Sequence, residues 1–174
     1  MRIINLEIKA RCPDPERVRS VLRSKNARFA GTDHQIDTYF RVHEGRLKLR
    51  EGNIENALVY YQRPNQDGPK TSDVLLHKVE PNSALKDILT KSLGVLAVVD
   101  KQREIYYVDN VKIHIDAVQG LGNFVEIEAA GDELSNRERL RRQCEDFMRL
   151  FGVAPSDLLT HSYSDMILAL TPDC

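Results

Sequence analysis

Polar and apolar residues alternate along much of the chain. From Ile3 to Arg11, Ile4, Leu6, Ile8 and Ala10 form one face and Asn5, Glu7, Lys9 and Arg11 the other, as in a half-buried strand. Pro13-Asp14-Pro15-Glu16 then predicts a helix start, with Asp14 as N-cap and Pro15 at the first helical position. Val18, Val21 and Leu22 give that helix its apolar stripe, and it should end near Lys25-Asn26. The strand pattern resumes near Arg28, with a bulge expected at Gly31, and runs through Asp37 and Tyr39 to Arg41. Glu44-Gly45 is a turn, and from Arg46 to Glu51 Leu47 and Leu49 oppose Lys48 and Arg50. A further strand runs from Ala57 to Arg63, with Val59, Tyr61 and Arg63 on one face. After the Pro-, Asn- and Gly-bearing stretch from Pro64 to Lys70, a fifth strand from Ser72 to Glu80 carries Lys78 beside Leu76 and Glu80.

The second half repeats the theme. Asn82 or Ser83 should cap a helix carrying Leu85, Ile88, Leu89 and Leu93, with Gly94 as its stop. The longest strand, Leu96 to Val108, puts Lys101 and Arg103 on one face. From Val111 to Glu128 the chain reads as a hairpin turning through Gln119-Gly120-Leu121-Gly122-Asn123. Lys112, His114 and Asp116 share a face on its first strand, Glu126 and Glu128 on its second. A long amphipathic helix follows from Ser135 to Phe151, with Leu140, Cys144, Phe147, Leu150 and Phe151 inward and Arg137, Arg141 and Arg142 outward. A last helix covers Ser162 to Leu170. About eight turn-linked strands with helices inserted at three or four places predict an α+β fold built on an antiparallel sheet. Helices can cover the apolar side. If the sheet curls into a barrel, the polar side lines a tunnel.

Composition narrows the function classes. A chain of 174 residues predicts one domain over residues 1–170 with a short tail, 171–174. The formal net charge of -1 offers no global basic field for nucleic acid, and no apolar run reaches membrane-spanning length. Cys12, Cys144 and Cys174 are odd in number and lack a CxxC pair, so free thiols in a cytoplasmic protein are expected. Exposed hairpin edges leave room for a homodimer.

Most charges on a wet sheet face are merely solvated. Here, however, nearly every strand carries one at its centre: Glu7, Asp116, Glu126 and Glu128 among the acids, and Lys9, Lys48, Arg50, Arg63, Lys78, Lys101 and Arg103 among the bases. The acids gather on the first and last strands, the bases on the middle ones. Carboxylates suit a hard divalent ion such as Mg2+ or Mn2+, and Lys and Arg suit phosphate oxygens. A metal-bound triphosphate satisfies both sets.

The order of these groups resembles the CYTH superfamily, which contains class IV adenylyl cyclases and thiamine triphosphatases. Asn5-Leu6-Glu7-Ile8-Lys9 is similar to its N-terminal ExExK signature. Leu47-Lys48-Leu49-Arg50, Tyr60-Tyr61-Gln62-Arg63-Pro64, Lys101-Gln102-Arg103-Glu104 and Phe124-Val125-Glu126-Ile127-Glu128 follow in the family's order, out to Ser162-Tyr163-Ser164-Asp165. The resemblance implies an eight-stranded antiparallel triphosphate tunnel with helices outside, dependent on Mg2+ or Mn2+. It implies Glu7, Glu126 and Glu128 as metal ligands and Lys48, Arg50, Arg63, Lys78, Lys101 and Arg103, with Lys9, as phosphate grips. Asp116 resembles an acidic position of the cyclase branch, and Lys9, crowded by cations, is expected to help accept a proton. The implied activity is adenylyl cyclase-like, ATP going to cyclic AMP and pyrophosphate. The alternatives are hydrolysis of inorganic, thiamine or nucleoside triphosphate, and non-catalytic polyphosphate binding. Asn5 departs from the signature, since an amide stands where the family has its first Glu.

Overall fold

The computed structural model describes residues 4–62, 73–131 and 137–171. Eight strands form: β1 (Ile4–Arg11), β2 (Arg28–Phe40), β3 (Arg46–Glu51), β4 (Ala57–Gln62), β5 (Asp73–Lys78), β6 (Val95–Val108), β7 (Val111–Val118) and β8 (Gly122–Gly131). Four helices accompany them: α1 (Pro15–Ser24), α2 (Leu85–Leu93), α3 (Arg137–Phe151) and α4 (Tyr163–Leu170). The strands make one antiparallel sheet in the order β1-β8-β7-β6-β2-β3-β4-β5. β6 crosses back to pair with β2, and the expected irregularity lies between Phe29 and Gly31, where Gly31 has φ 130°. This confirms the α+β antiparallel design.

The sheet curls but stays open, a half-barrel with β1 and β5 as its two edges. Lys112 on β7 reaches Glu55, beyond β3, at 2.7 Å, and a cluster of buried residues includes Tyr61 of β4 and Phe124 of β8. On a flat sheet those strands would stand several spacings of about 4.8 Å apart.

The apolar side is closed by α1 and α3. Asp14 accepts from the Arg17 N–H at 3.1 Å and starts α1, which buries Val18 and Leu22. On α3, Leu140, Cys144, Phe147 and Phe151 are buried against Ile8, Ile113 and Ile127 of the sheet. Leu150, expected inward, is 42% exposed, because the stripe at helical spacing already carries its neighbours to the core. The expected Ser135 start of α3 lies outside the described residues. Cys12 and Cys144 are free and buried, and burial pushes their thiols up to about 11 and about 12.

The two remaining helices behave differently. The N-cap of α2 is Ala84, not Asn82 or Ser83, and no side chain caps it; Asn82 instead takes a turn conformation with φ 58°. α2 buries none of its residues, although Gly94 ends it as expected. α4 begins with a capping box between Ser162 and Asp165. Its Tyr163 packs against Phe124 on the polar side of the sheet, at one end of the half-barrel. No described helix is long and apolar enough to cross a membrane.

Leu22 is fully buried and Ile88 is 57% exposed. Leu22→Ala should therefore cost about 2–5 kcal/mol in a urea titration, whereas Ile88→Ala should stay within about 0.5 kcal/mol.

Candidate functional site

Register decides which charges meet. The strand pairs Lys9↔Glu126, Glu7↔Glu128, Arg103↔Asp116 and Asp37↔Arg50 place the polar residues of neighbouring strands side by side on the inner face. Three groupings result.

The first surrounds Asp37 of β2. Its carboxylate accepts from Lys48 Nζ at 2.9 Å, from Lys101 Nζ at 2.9 Å and from Arg50 Nε and a terminal nitrogen at 2.8 and 2.9 Å. Burial opposes the charge of Asp37, but Lys101, Lys48 and Arg50 outweigh it and hold the carboxyl well below the usual range. One carboxylate cannot offset all of these cations. Burial accordingly pushes Lys101 well down from the ordinary lysine range and lowers Lys48 as well.

The second joins β6, β7 and α4. Arg103 donates Nε and a terminal N–H to the two Asp116 oxygens at 2.7 and 2.6 Å, a bidentate fork. Tyr163 donates its hydroxyl to Asp116 at 2.7 Å. Despite full burial, Arg103 draws the Asp116 carboxyl down to about 2. Asp116 is thus the orienting partner of Arg103.

The third lies on β1 and β8. Lys9 bonds Glu126 at 2.9 Å and sits 4.0 Å above the Tyr163 ring. The direct charged partner of Lys9 is thus a carboxylate. His114 Nδ1 lies 3.4 Å from Glu126, and burial, then Arg103, pushes the imidazole down to about 4. The neutral ring leaves its buried Nε2 without a partner among the described residues. Asn5 donates to Glu128 at 2.6 Å. Burial, then Glu126 and Glu7, pushes the Glu128 carboxyl up to about 7, which marks a surplus of negative charge.

The sequence reading missed Asp33, Gln35, Asp37 and Glu55 as members of this face. The acids do gather on the outer strands, but β2 also brings Asp33 and Asp37 to the centre. The spacing Asp33-x-Gln35-x-Asp37 puts all three on one strand face, and that signal was readable. Glu55 was not readable, because a loop positions it. Asp33 accepts the N–H groups of Ile54 and Glu55 at 2.9 and 3.0 Å, and a Cβ at Gly52 would meet its carboxylate at 2.6 Å. So held, Glu55 accepts from Arg50 at 3.0 Å, Gln35 at 3.1 Å and Lys112 at 2.7 Å.

Of the expected site residues, Lys9, Lys48, Arg50, Lys101, Arg103, Asp116, Glu126 and Glu128 are thus brought onto one concave face, with Glu7 in register beside Glu128. Lys78 shares that face, but lies exposed on the β5 edge. Arg63 lies outside the described residues. Among the described residues no group of three or more His, Cys, Asp or Glu is drawn together closely enough to hold a metal ion.

Asp37→Asn would leave buried cations without their shared counterion and should cost about 3–5 kcal/mol by denaturant titration. Glu128 makes the opposite prediction. Its folded carboxyl at about 7 exceeds its ordinary 4.5, so the fold binds the extra proton and stability falls as pH rises through that window. Glu128→Gln should flatten that slope and stabilise the protein at pH 8 by up to roughly 3 kcal/mol, read from thermal melts at several pH values.

Comparison with known proteins agrees with this geometry. The CYTH domain family model matches residues 4–163. A Methanocaldococcus jannaschii protein that bears the provisional name of an adenylate cyclase is 26% identical over 174 residues, spanning 94% of this chain and 98% of its own length. A Pyrococcus horikoshii structure superposes with TM-score 0.78 at 25% identity, covering 94% of this chain and 99% of that one. A Hippeastrum protein, provisionally named an adenylyl cyclase and described as having a dominant triphosphatase activity, shares the fold with TM-score 0.65 at 16% identity, over 97% and 98% of the two chains. The chain belongs to the CYTH domain family.

Proposed function

We propose that the protein is a divalent-metal-dependent enzyme acting on a triphosphate, with chemistry of the adenylyl cyclase type. The observation that carries this reading is the inner row of Lys48, Arg50, Lys101 and Arg103, with Glu7, Glu126 and Glu128 at its side. Lys48 and Lys101 each give one N–H to Asp37, which leaves donors on both ammonium groups for phosphate oxygens. Arg103, fixed by Asp116, offers its remaining N–H groups from a rigid fork.

The family implies Mg2+ or Mn2+. The chemistry of the donors suits such an ion, since Glu7, Glu126 and Glu128 carry hard oxygens on adjacent strands, and their carboxylates would have to draw closer together to ligate it. Those three residues would hold it. When bound, the ion supplies further neutralisation of phosphate charge. The chain's own side chains bind and straighten the phosphate tail, so that a ribose 3′-hydroxyl attacks the α-phosphorus in line and pyrophosphate leaves. Positioning and charge neutralisation supply most of the rate in such a step. Lys9, anchored by Glu126 and Tyr163, lies on the same face and would help to grip the phosphate tail.

Hydrolysis is the second reading, and the described activity of the Hippeastrum protein favours it. Water would then attack the terminal phosphorus within the same cation shell. A third reading follows from Asn5, which binds Glu128 and brings no charge of its own. The protein would then bind polyphosphate without turning it over.

Incubation with ATP or inorganic tripolyphosphate and Mg2+ or Mn2+, followed by separation of products, distinguishes all three. Cyclic AMP with pyrophosphate is expected. Orthophosphate instead would establish the hydrolase, and saturable binding without turnover would remove catalysis altogether. Arg50→Ala should lower kcat/KM by about 10^2–10^3-fold. Asn5→Glu should create activity only if the native protein is a binder.

A further inference from the structure

The counterions of the inner face differ in how firmly they are held. Asp37 and Asp116 stand on strands, with side chains 1% and 0% exposed, and grip their cations from within the sheet. Glu55 comes from the loop between β3 and β4, and its side chain keeps 28% exposure. The backbone of that loop is fixed. Asn56 accepts the Gly52 N–H at 3.1 Å and donates its amide to the Gly52 carbonyl at 2.9 Å, while the Asp33 carboxylate takes the N–H groups of Ile54 and Glu55. What remains able to move is the Glu55 side chain, by rotation about its own bonds.

Two cations bridge the Glu55 carboxylate. Lys112 Nζ donates to one oxygen at 2.7 Å, and a terminal Arg50 nitrogen donates to the other at 3.0 Å, where the Gln35 amide joins it at 3.1 Å. Cations on separate oxygens of one anionic group are also how a phosphate group is held. Arg50 gives its Nε and its other terminal nitrogen to Asp37, so the nitrogen that Glu55 takes is the one Asp37 leaves over. Lys112 pairs in register with Glu128, which places it between the acidic edge and the cation row. Burial opposes the charge of Glu55, but Lys112, Arg50 and Arg103 outweigh it and hold the carboxyl down at about 2.

We propose that Glu55 is an internal competitor of the polyanion: it occupies Arg50 and Lys112 where a phosphate group would, and yields both to the incoming tail. Lys112 thereby becomes a further phosphate-binding side chain. This rests on the triphosphate reading above and adds a residue whose charge holds binding in check. Asp37 and Asp116, fixed within the sheet, stay with their cations when the tail enters. Glu55 is the carboxylate placed to be displaced, and its displacement costs affinity. Removing its charge therefore tightens binding, whereas the loss of a merely structural contact would loosen it.

The test titrates inorganic tripolyphosphate into the full chain by calorimetry, with Ca2+ in place of Mg2+. Wild type is compared with Glu55→Gln, Glu55→Ala and Glu55→Gln/Lys112→Met. Both single variants should bind about fivefold more tightly than wild type. Adding Lys112→Met to Glu55→Gln should weaken binding again by about fivefold. Thermal melts identify which single variants are folded, and either one alone decides the sign. Unchanged or weaker binding by a folded single variant overturns the competitor and leaves the triphosphate reading intact. A double variant that binds as tightly as Glu55→Gln removes Lys112 from the site and also overturns the proposal. Failure of wild type and variants alike to bind tripolyphosphate overturns both readings.

Discussion

A single carboxylate, buried and shared, organises the centre of this protein. Asp37 receives Lys48 and Arg50 from its neighbour β3 and Lys101 from the crossing strand β6. Without it the sheet would bring cations together on a face with little water to screen them, and their mutual repulsion would oppose the curl. With it, each cation has a fixed position and still keeps unspent donors. Asp116 does the same for Arg103, and Glu126 for Lys9. The cation shell is assembled before any polyanion arrives, which lowers the reorganisation that binding would otherwise demand.

That arrangement is tolerable only because stability comes from elsewhere. The opposite face of β1, β7 and β8 is packed by α1 and α3 through Ile8, Ile113, Ile127, Leu22 and Leu140, all at 2% exposure or less. Buried ion pairs contribute little net stability, since desolvation offsets most of their attraction. The alternation of the strands thus separates two tasks by two faces. The helices anchor the sheet on one side, and the charges are free to be arranged for binding on the other. Among the described helices only α4 crosses to the charged side, where Tyr163 hydrogen-bonds Asp116 and lies under Lys9.

The strands and most of the inner face were legible because the period of two is strict and Gly and Pro punctuate it. Lys101 with Arg103, and Glu126 with Glu128, could be placed on one face from spacing alone. Partnership was harder to read. That Lys9 meets Glu126 depends on the register of β1 against β8, which no local pattern encodes. Asp37 looks like an ordinary strand position in sequence, because its cation partners come from β3 and β6 and only the register brings them to it. Glu55 depends on a loop folded over the Asp33 carboxylate, a long-range backbone contact without sequence periodicity. The cap of α2 failed for a related reason: Asn82 and Ser83 have the right chemistry, but the turn before the helix uses Asn82 in a left-handed conformation.

Asn5 shows how the two faces trade against each other. Burial, with Glu126 and Glu7 adding to it, already pushes the Glu128 carboxyl up to about 7. A glutamate at position 5 would add another carboxylate to that crowd and raise the cost of holding the edge together without a cation. The amide removes the repulsion and donates to Glu128 at 2.6 Å, so it acts as a partial substitute for a cation. The same contact occupies an oxygen that a metal would seek. On the metal-dependent reading proposed above, position 5 would set a balance between the stability of the unliganded edge and its affinity for a divalent ion, and asparagine would move that balance towards stability.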